Sequence, residues 1–163
     1  MILFNSGIYY ITFSFLFLAG HLPLPADGNL IVGKVGKDIT PEDAAIAARY
    51  VALNILATVK GKNFSSSSKF LKIISNTLLF IMIIILFFIE EIGNLNKIKK
   101  IVKITGFVNC VDGFAGQPAV VNGASNLFKE VLGEAGVHSR SAVGTNALPF
   151  NVPVEIEAII EVE

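Results

Sequence analysis

Arg140 and Glu155 are the side chains of this sequence with the widest chemical reach. Arg140 opens an apolar, extended run in residues 138–147. Leu148-Pro149 interrupts that run, and Val154-Glu155-Ile156-Glu157-Ala158 then alternates apolar and acidic residues. Alternation with period two reads as a half-buried strand. Two strands joined by a proline-bearing loop are expected to hold the guanidinium and the carboxylate near each other on one sheet. Such a pair grips an anionic substrate and positions a water molecule.

Each of these side chains also has a plainer explanation. Arg140 fits a solvated strand start, and Glu155 and Glu157 fit the wet side of a strand. Cys110 reads as a small buried hydrophobe, since no histidine stands near it in sequence to activate a thiol. His21 and His138 lie far apart with no acidic or thiol companions, so no metal is expected. Gly33-Lys34-Val35-Gly36 lacks the full phosphate-loop pattern. Lys97, Lys99, Lys100 and Lys103 read as a solvated edge.

Composition narrows the field. The chain has 163 residues, enough for a single domain with a real core. Thirteen basic and thirteen acidic residues cancel, so the basic field of a nucleic-acid binder is absent. One cysteine excludes an internal disulfide and fits a reducing compartment.

The hydrophobic share, 53%, is concentrated in residues 8–18 and in the twelve unbroken apolar residues 78–89. Both runs are shorter than the roughly 20 residues that span a bilayer; extended back to residue 73, the second becomes a marginal span. Residues 62–89 also lack Gly, Ala, Val, Asp and Glu altogether, the amino acids whose codons begin with G. That bias matches translated AT-rich non-coding DNA, and the segment reads as a retained intron. Its excision would join Lys60 through one glutamate to Glu91. A peptide spectrum covering Ser65 to Ser68 would refute this; a membrane-anchoring insertion and a disordered loop are the other readings. Residues 1–16 are atypical too. A secretory signal fits their apolar core but not the missing basic start, and a strand entering the turn at Gly20-His21-Leu22-Pro23 fits better.

The remaining chain is expected to run strand (16–19), short strand (29–32), helix, strand (98–109), helix, strand, strand. Thr40-Pro41-Glu42-Asp43 places a hydroxyl cap, a first-turn proline and two acids where a helix begins. Ala44, Ala48, Val51, Ile55 and Val59 form its buried stripe. In the long strand, Val102, Ile104 and Val108 are expected on one face and Ile101, Thr105 and Phe107 on the other. Pro118 opens the second helix, which ends near Gly133 and is expected to pack through Val120, Leu127, Val131 and Leu132. The result is an α+β fold, a sheet with two helices on one face.

Several ordered pieces resemble the RidA/YjgF family, also called endoribonuclease L-PSP. They include Ala19-Gly20-His21-Leu22-Pro23, Ala47-Ala48-Arg49 with Leu53-Asn54-Ile55-Leu56, and Phe107-Val108-Asn109. Val121-Asn122-Gly123-Ala124-Ser125, Arg140-Ser141-Ala142-Val143 and the Leu148-Pro149 to Ala158 stretch complete the series. The resemblance spans residues 17–60 and 91–163, and in the family the two stretches are continuous. It implies a chorismate-mutase-like α+β domain over residues 1–163, interrupted at 62–89, that forms homotrimers with sites in the clefts between subunits. It further implies hydrolysis of 2-imino and enamine acids to 2-keto acids and ammonia, without metal or cofactor. Arg140 stands where the family binds the substrate carboxylate, Glu155 where it orients water, and Gly20 and Asn122 where it lines the pocket. Two departures stand out: Ala142 replaces a frequent cysteine, and the amino-terminal segment that brings a tyrosine to the site is missing or replaced.

Three function classes follow. The leading one is an imine/enamine deaminase in the cytoplasm, with the mitochondrion as the other compartment and a membrane involved only if residues 73–89 are truly translated. The second is a non-catalytic small-metabolite binding module. The third, an endoribonuclease, suits neither the neutral charge nor the absence of a histidine pair.

Overall fold

The computed structural model describes residues 9–12, 14–61 and 94–163. The proposed insertion at 62–89 and most of the atypical start lie outside them. Five strands form one sheet: β1 (Tyr9–Thr12), β2 (Phe15–His21), β3 (Ile98–Asn109), β4 (Ser139–Thr145) and β5 (Val154–Val162), in the order β1-β2-β5-β3-β4. Only β3 and β4 are parallel, and α2 (Gln117–Leu132) makes the crossover that a parallel pair requires. With α1 (Pro41–Val59) it covers one face of the sheet. The α+β architecture read from the sequence is therefore present. Among the described residues no helix is long and apolar enough to cross a membrane.

The first helix forms where its start signals stand. The Thr40 hydroxyl accepts the backbone N–H of Asp43 at 3.1 Å, satisfying one of the first-turn donors. Ala44, Ala48, Val51, Ile55 and Val59 are all buried, and the small residues Ala47 and Ala52 join them. Small residues let α2 approach closely. Gly123 lies against α1, and a Cβ there would overlap the Ala45 carbonyl oxygen.

Three expectations change. Residues 29–32 form no strand. Asp27 accepts the Asn29 N–H and caps a turn, Gly28 and Gly33 take positive φ, and the Ile31 and Gly33 N–H groups reach the Pro23 and Asn151 carbonyls. With those donors bonded to loop carbonyls, the segment has no need of a sheet partner. In β3 the register shifts between Ile101 and Lys103, a bulge that turns Ile101 into the core beside Ile104 and Val108. Val102, assigned to that face from strict alternation, is only partly buried. In α2, Val131 is exposed, while Val121, Ala124 and Phe128 are buried with Val120 and Leu127.

The connection between β4 and β5 holds the chain's two positive-φ residues other than glycine among those described, Phe150 (φ 55°) and Asn151 (φ 56°). Buried Asn109 anchors this turn, its amide donating to Asn151 Oδ1 and to the Val152 carbonyl. A left-handed conformation costs an L-residue about 1–2 kcal/mol, and the Phe150 ring, 69% exposed, recovers little by burial. Phe150→Gly should therefore raise stability by roughly 0.5–1 kcal/mol after the entropy of a freer unfolded chain is subtracted. A higher urea midpoint at unchanged slope would show it.

Candidate functional site

The four residues expected at the site divide into two pairs on opposite faces of the sheet. Arg140 pairs in register with Ile104, which is fully buried beneath the helices, so both side chains are on the helix face. Ala142 packs against the core on that same side, as its spacing from Arg140 requires. Glu155 pairs with Phe107 on the face left open, and β5 alternates around it with Val154 and Ile156 fully buried. The two strands joined by the Leu148-Pro149 loop share the sheet but do not hold the pair together: β3 lies between β4 and β5, and Ile104 separates Arg140 from Ala158, not from Glu155. Within one copy of the chain, the guanidinium and the carboxylate do not share a hollow.

Each half has its own structure. Gly20 and Glu155 meet on the open face. The register of β2 against β5 slips between Leu18 and His21, and the extra residue lays Gly20 directly under the Glu155 carboxylate, where any Cβ would collide with it. His21 pins the bulge to α1: its Nδ1 donates to the Ala19 carbonyl at 2.7 Å, and its Nε2 meets the Thr58 hydroxyl at 2.9 Å. Glu155 is half-buried, and its pKa is raised first by loss of solvent and then by the neighbouring Glu157 charge. Nearby on the same face is a shallow hollow lined by Phe17, Lys103, Thr105, Glu157 and Ile159.

On the helix face Arg140 sits at the sheet edge, exposed. Its Nη1 donates to Ser125 Oγ on α2 at 3.0 Å. Ser125 Oγ is also 3.0 Å from His138 Nε2, and His138 Nδ1 is 2.6 Å from the Gly136 carbonyl. A carbonyl only accepts, so Nδ1 carries the ring proton and the Ser125 hydroxyl donates to bare Nε2. The Phe128 ring meets the imidazole edge-on, with centroids 5.7 Å apart. Asn122 lies one turn before Ser125, exposed on the α2 surface. Ser125 and His138 escaped the sequence reading as functional residues. Their signal was present, since His138 and Arg140 stand two apart on an extended run and must share a face.

Both described histidines have pKa values below 6.5, His21 and His138 alike chiefly through burial; their backbone hydrogen bonds oppose the shift. Unfolding restores the ordinary value, so between the folded pKa and 6.5 the unfolded chain binds more protons. Stability is thus complete above about pH 6.5 and falls as pH drops toward the folded values. Urea midpoints measured from pH 7.5 down to 5.5 should decline, and the decline should be shallower in His138→Gln. Cys110 is buried, as expected. Lys99 and Lys100 are exposed on the stretch of β3 that precedes its pairing with β4. Among the described residues no group of three or more His, Cys, Asp or Glu side chains could hold a metal ion.

Comparison with known proteins places these features in context. The family model described as Endoribonuclease L-PSP matches residues 4–162. Protein TCP17 of Trypanosoma cruzi is 31% identical over 147 residues, covering 90% of this chain and 74% of that protein. Among solved structures, protein Atu1372 of Agrobacterium tumefaciens, of unknown function, is 37% identical with a TM-score of 0.76, over 98% of this chain and 85% of that one. A candidate endoribonuclease from Shewanella oneidensis MR-1 is 26% identical with a TM-score of 0.74, over 99% and 88% of the two chains.

Proposed function

The chain belongs to the endoribonuclease L-PSP family, which includes the RidA and YjgF proteins, and on that footing we propose that it hydrolyses 2-imino and enamine acids to 2-keto acids and ammonia. The observation that carries this reading is the state of Arg140. Its guanidinium is exposed, fixed by a neutral hydroxyl, and paired with no carboxylate among the described residues. A fork with most of its donors free fits the carboxylate of a small 2-imino acid. The substrate carbon is already electrophilic, so the reaction needs only a held water and a route for its proton.

Glu155, with Gly20, supplies the water-orienting half in this reading. Because it faces away from Arg140 in one chain, the two halves meet when a second copy brings its open face to the β4 edge. The open face supports such assembly, with Phe15, Phe17 and Val143 each about 40% exposed. A homotrimer with clefts between subunits is the proposed form, and sedimentation at equilibrium would measure its mass. The activity test is direct: the full chain, mixed with freshly generated 2-aminoacrylate, should release pyruvate faster than buffer alone. No acceleration would overturn the deaminase.

A second reading is a non-catalytic metabolite-binding module. It is favoured by Ala142 in place of the family's frequent cysteine, and by the hydrogen bond that ties Arg140 to Ser125 within one chain while Glu155 faces the other side of the sheet. A carboxylate-dependent thermal shift without turnover would single it out. Ribonuclease activity, the sense of the family's older name, has less support in a chain of zero formal charge.

A further inference from the structure

We infer that Ser125 and His138 are the proton-accepting arm of the Arg140 site, so that the imidazole takes, through the Ser125 hydroxyl, the proton of the water that attacks the substrate. This inference rests on the deaminase reading and adds to it a base that nothing in the family resemblance assigns. It comes from the hydrogen-bond polarity of the cluster. Arg140 donates to Ser125 Oγ, Ser125 donates to His138 Nε2, and Nδ1 donates to the Gly136 carbonyl. Every proton in that chain points one way, and it ends on a nitrogen lone pair. Ser125 Oγ keeps a second lone pair for a water beside a carboxylate held on Arg140.

The surroundings suit a base. Phe128 on α2 fixes the ring from its edge, and the Gly136 carbonyl sets the tautomer. The charged group acting on the ring is Arg140 on β4; α2 presents neutral Ser125 and Phe128. Burial and the Arg140 charge both hold the imidazole neutral at pH 7. Glu155 is on the far face of the same chain, and when it arrives from a neighbouring copy it steers the water that His138 deprotonates.

The atoms balance. From the protonated imine, the water oxygen bonds to C2 as its proton passes to Ser125 Oγ and the Ser125 proton passes to Nε2. The C2=N π pair moves onto nitrogen, giving a carbinolamine. The imidazolium returns its proton through Ser125 to the amine. The C–N bond then breaks with its electron pair on nitrogen, the hydroxyl oxygen closes the C=O bond, and the hydroxyl proton goes to the departing ammonia. Iminium plus water becomes 2-keto acid plus ammonium.

The test compares wild-type full chain, His138→Gln and Ser125→Ala on 2-aminoacrylate between pH 5 and 9. His138→Gln should lower kcat on the order of 100-fold with KM within about threefold, the usual scale for loss of a general base. It should also abolish the acid limb of kcat/KM. Ser125→Ala, a smaller change, should reproduce the kcat loss with the melting temperature kept, which guards against a misfolded His138 variant. If wild type turns over while both variants keep its kcat and pH profile, the relay is overturned and the deaminase stands. If wild type does not turn over, both fall.

Discussion

Arg140→Ala should weaken binding of small 2-keto or 2-imino carboxylates on the order of 100-fold, the largest effect on affinity expected from a single side chain here. Lost charge-assisted hydrogen bonds to a carboxylate account for that scale. The guanidinium is exposed and its hydrogen bond among the described residues goes to the Ser125 hydroxyl, so its removal should leave the fold intact. Arg140→Lys tests the geometry: it keeps the charge and loses the fork, and should recover only part of the affinity. Calorimetric titration with pyruvate, the product of the assay substrate, reads both variants. Equal affinity in wild type and Arg140→Ala would remove the carboxylate site from this face of the sheet.

Gly123→Ala should have the largest effect on stability. The new methyl would collide with the Ala45 carbonyl oxygen, a backbone atom that cannot rotate away. The α1–α2 contact, lined by Ala44, Ala47, Ala48 and Ala124, would have to open. Overpacking of this kind costs about 1–3 kcal/mol and often more against backbone, offset by about 1 kcal/mol of better helix propensity. The net loss should be about 2 kcal/mol, or roughly 4–8 °C in melting temperature for a domain of this size. Asn122→Ala, one residue earlier and exposed, should change it little. A Gly123→Ala protein as stable as wild type would mean that the helices are farther apart than the structure places them.

Much of the fold was legible because its signals are local. The Thr40 cap, the alanine-rich stripe of α1 and the alternation of β5 each depend on neighbours a turn or two away, and each appears where those signals stand. The misreadings share a cause. Strict alternation failed at Ile101 because one inserted residue reverses the faces of a strand, and that insertion answers to the partner strand. Asn29 to Val32 failed because loop carbonyls from Pro23 and Asn151 took the amide protons that a strand would have offered to a sheet.

The candidate site divides along the same line. The residue types were decided by the chain itself: an arginine, a serine and a histidine able to form one hydrogen-bonded line, and a glutamate set among alternating apolar neighbours. Their grouping was decided by tertiary structure. Inserting β3 between β4 and β5 separates Arg140 from Glu155, and the crossover through α2 delivers Ser125 to the guanidinium instead. Sheet order and crossover are settled by which faces bury most apolar surface together. That sum runs over residues distant in sequence, such as Ile104, Val121 and Ile156, and no local pattern contains it.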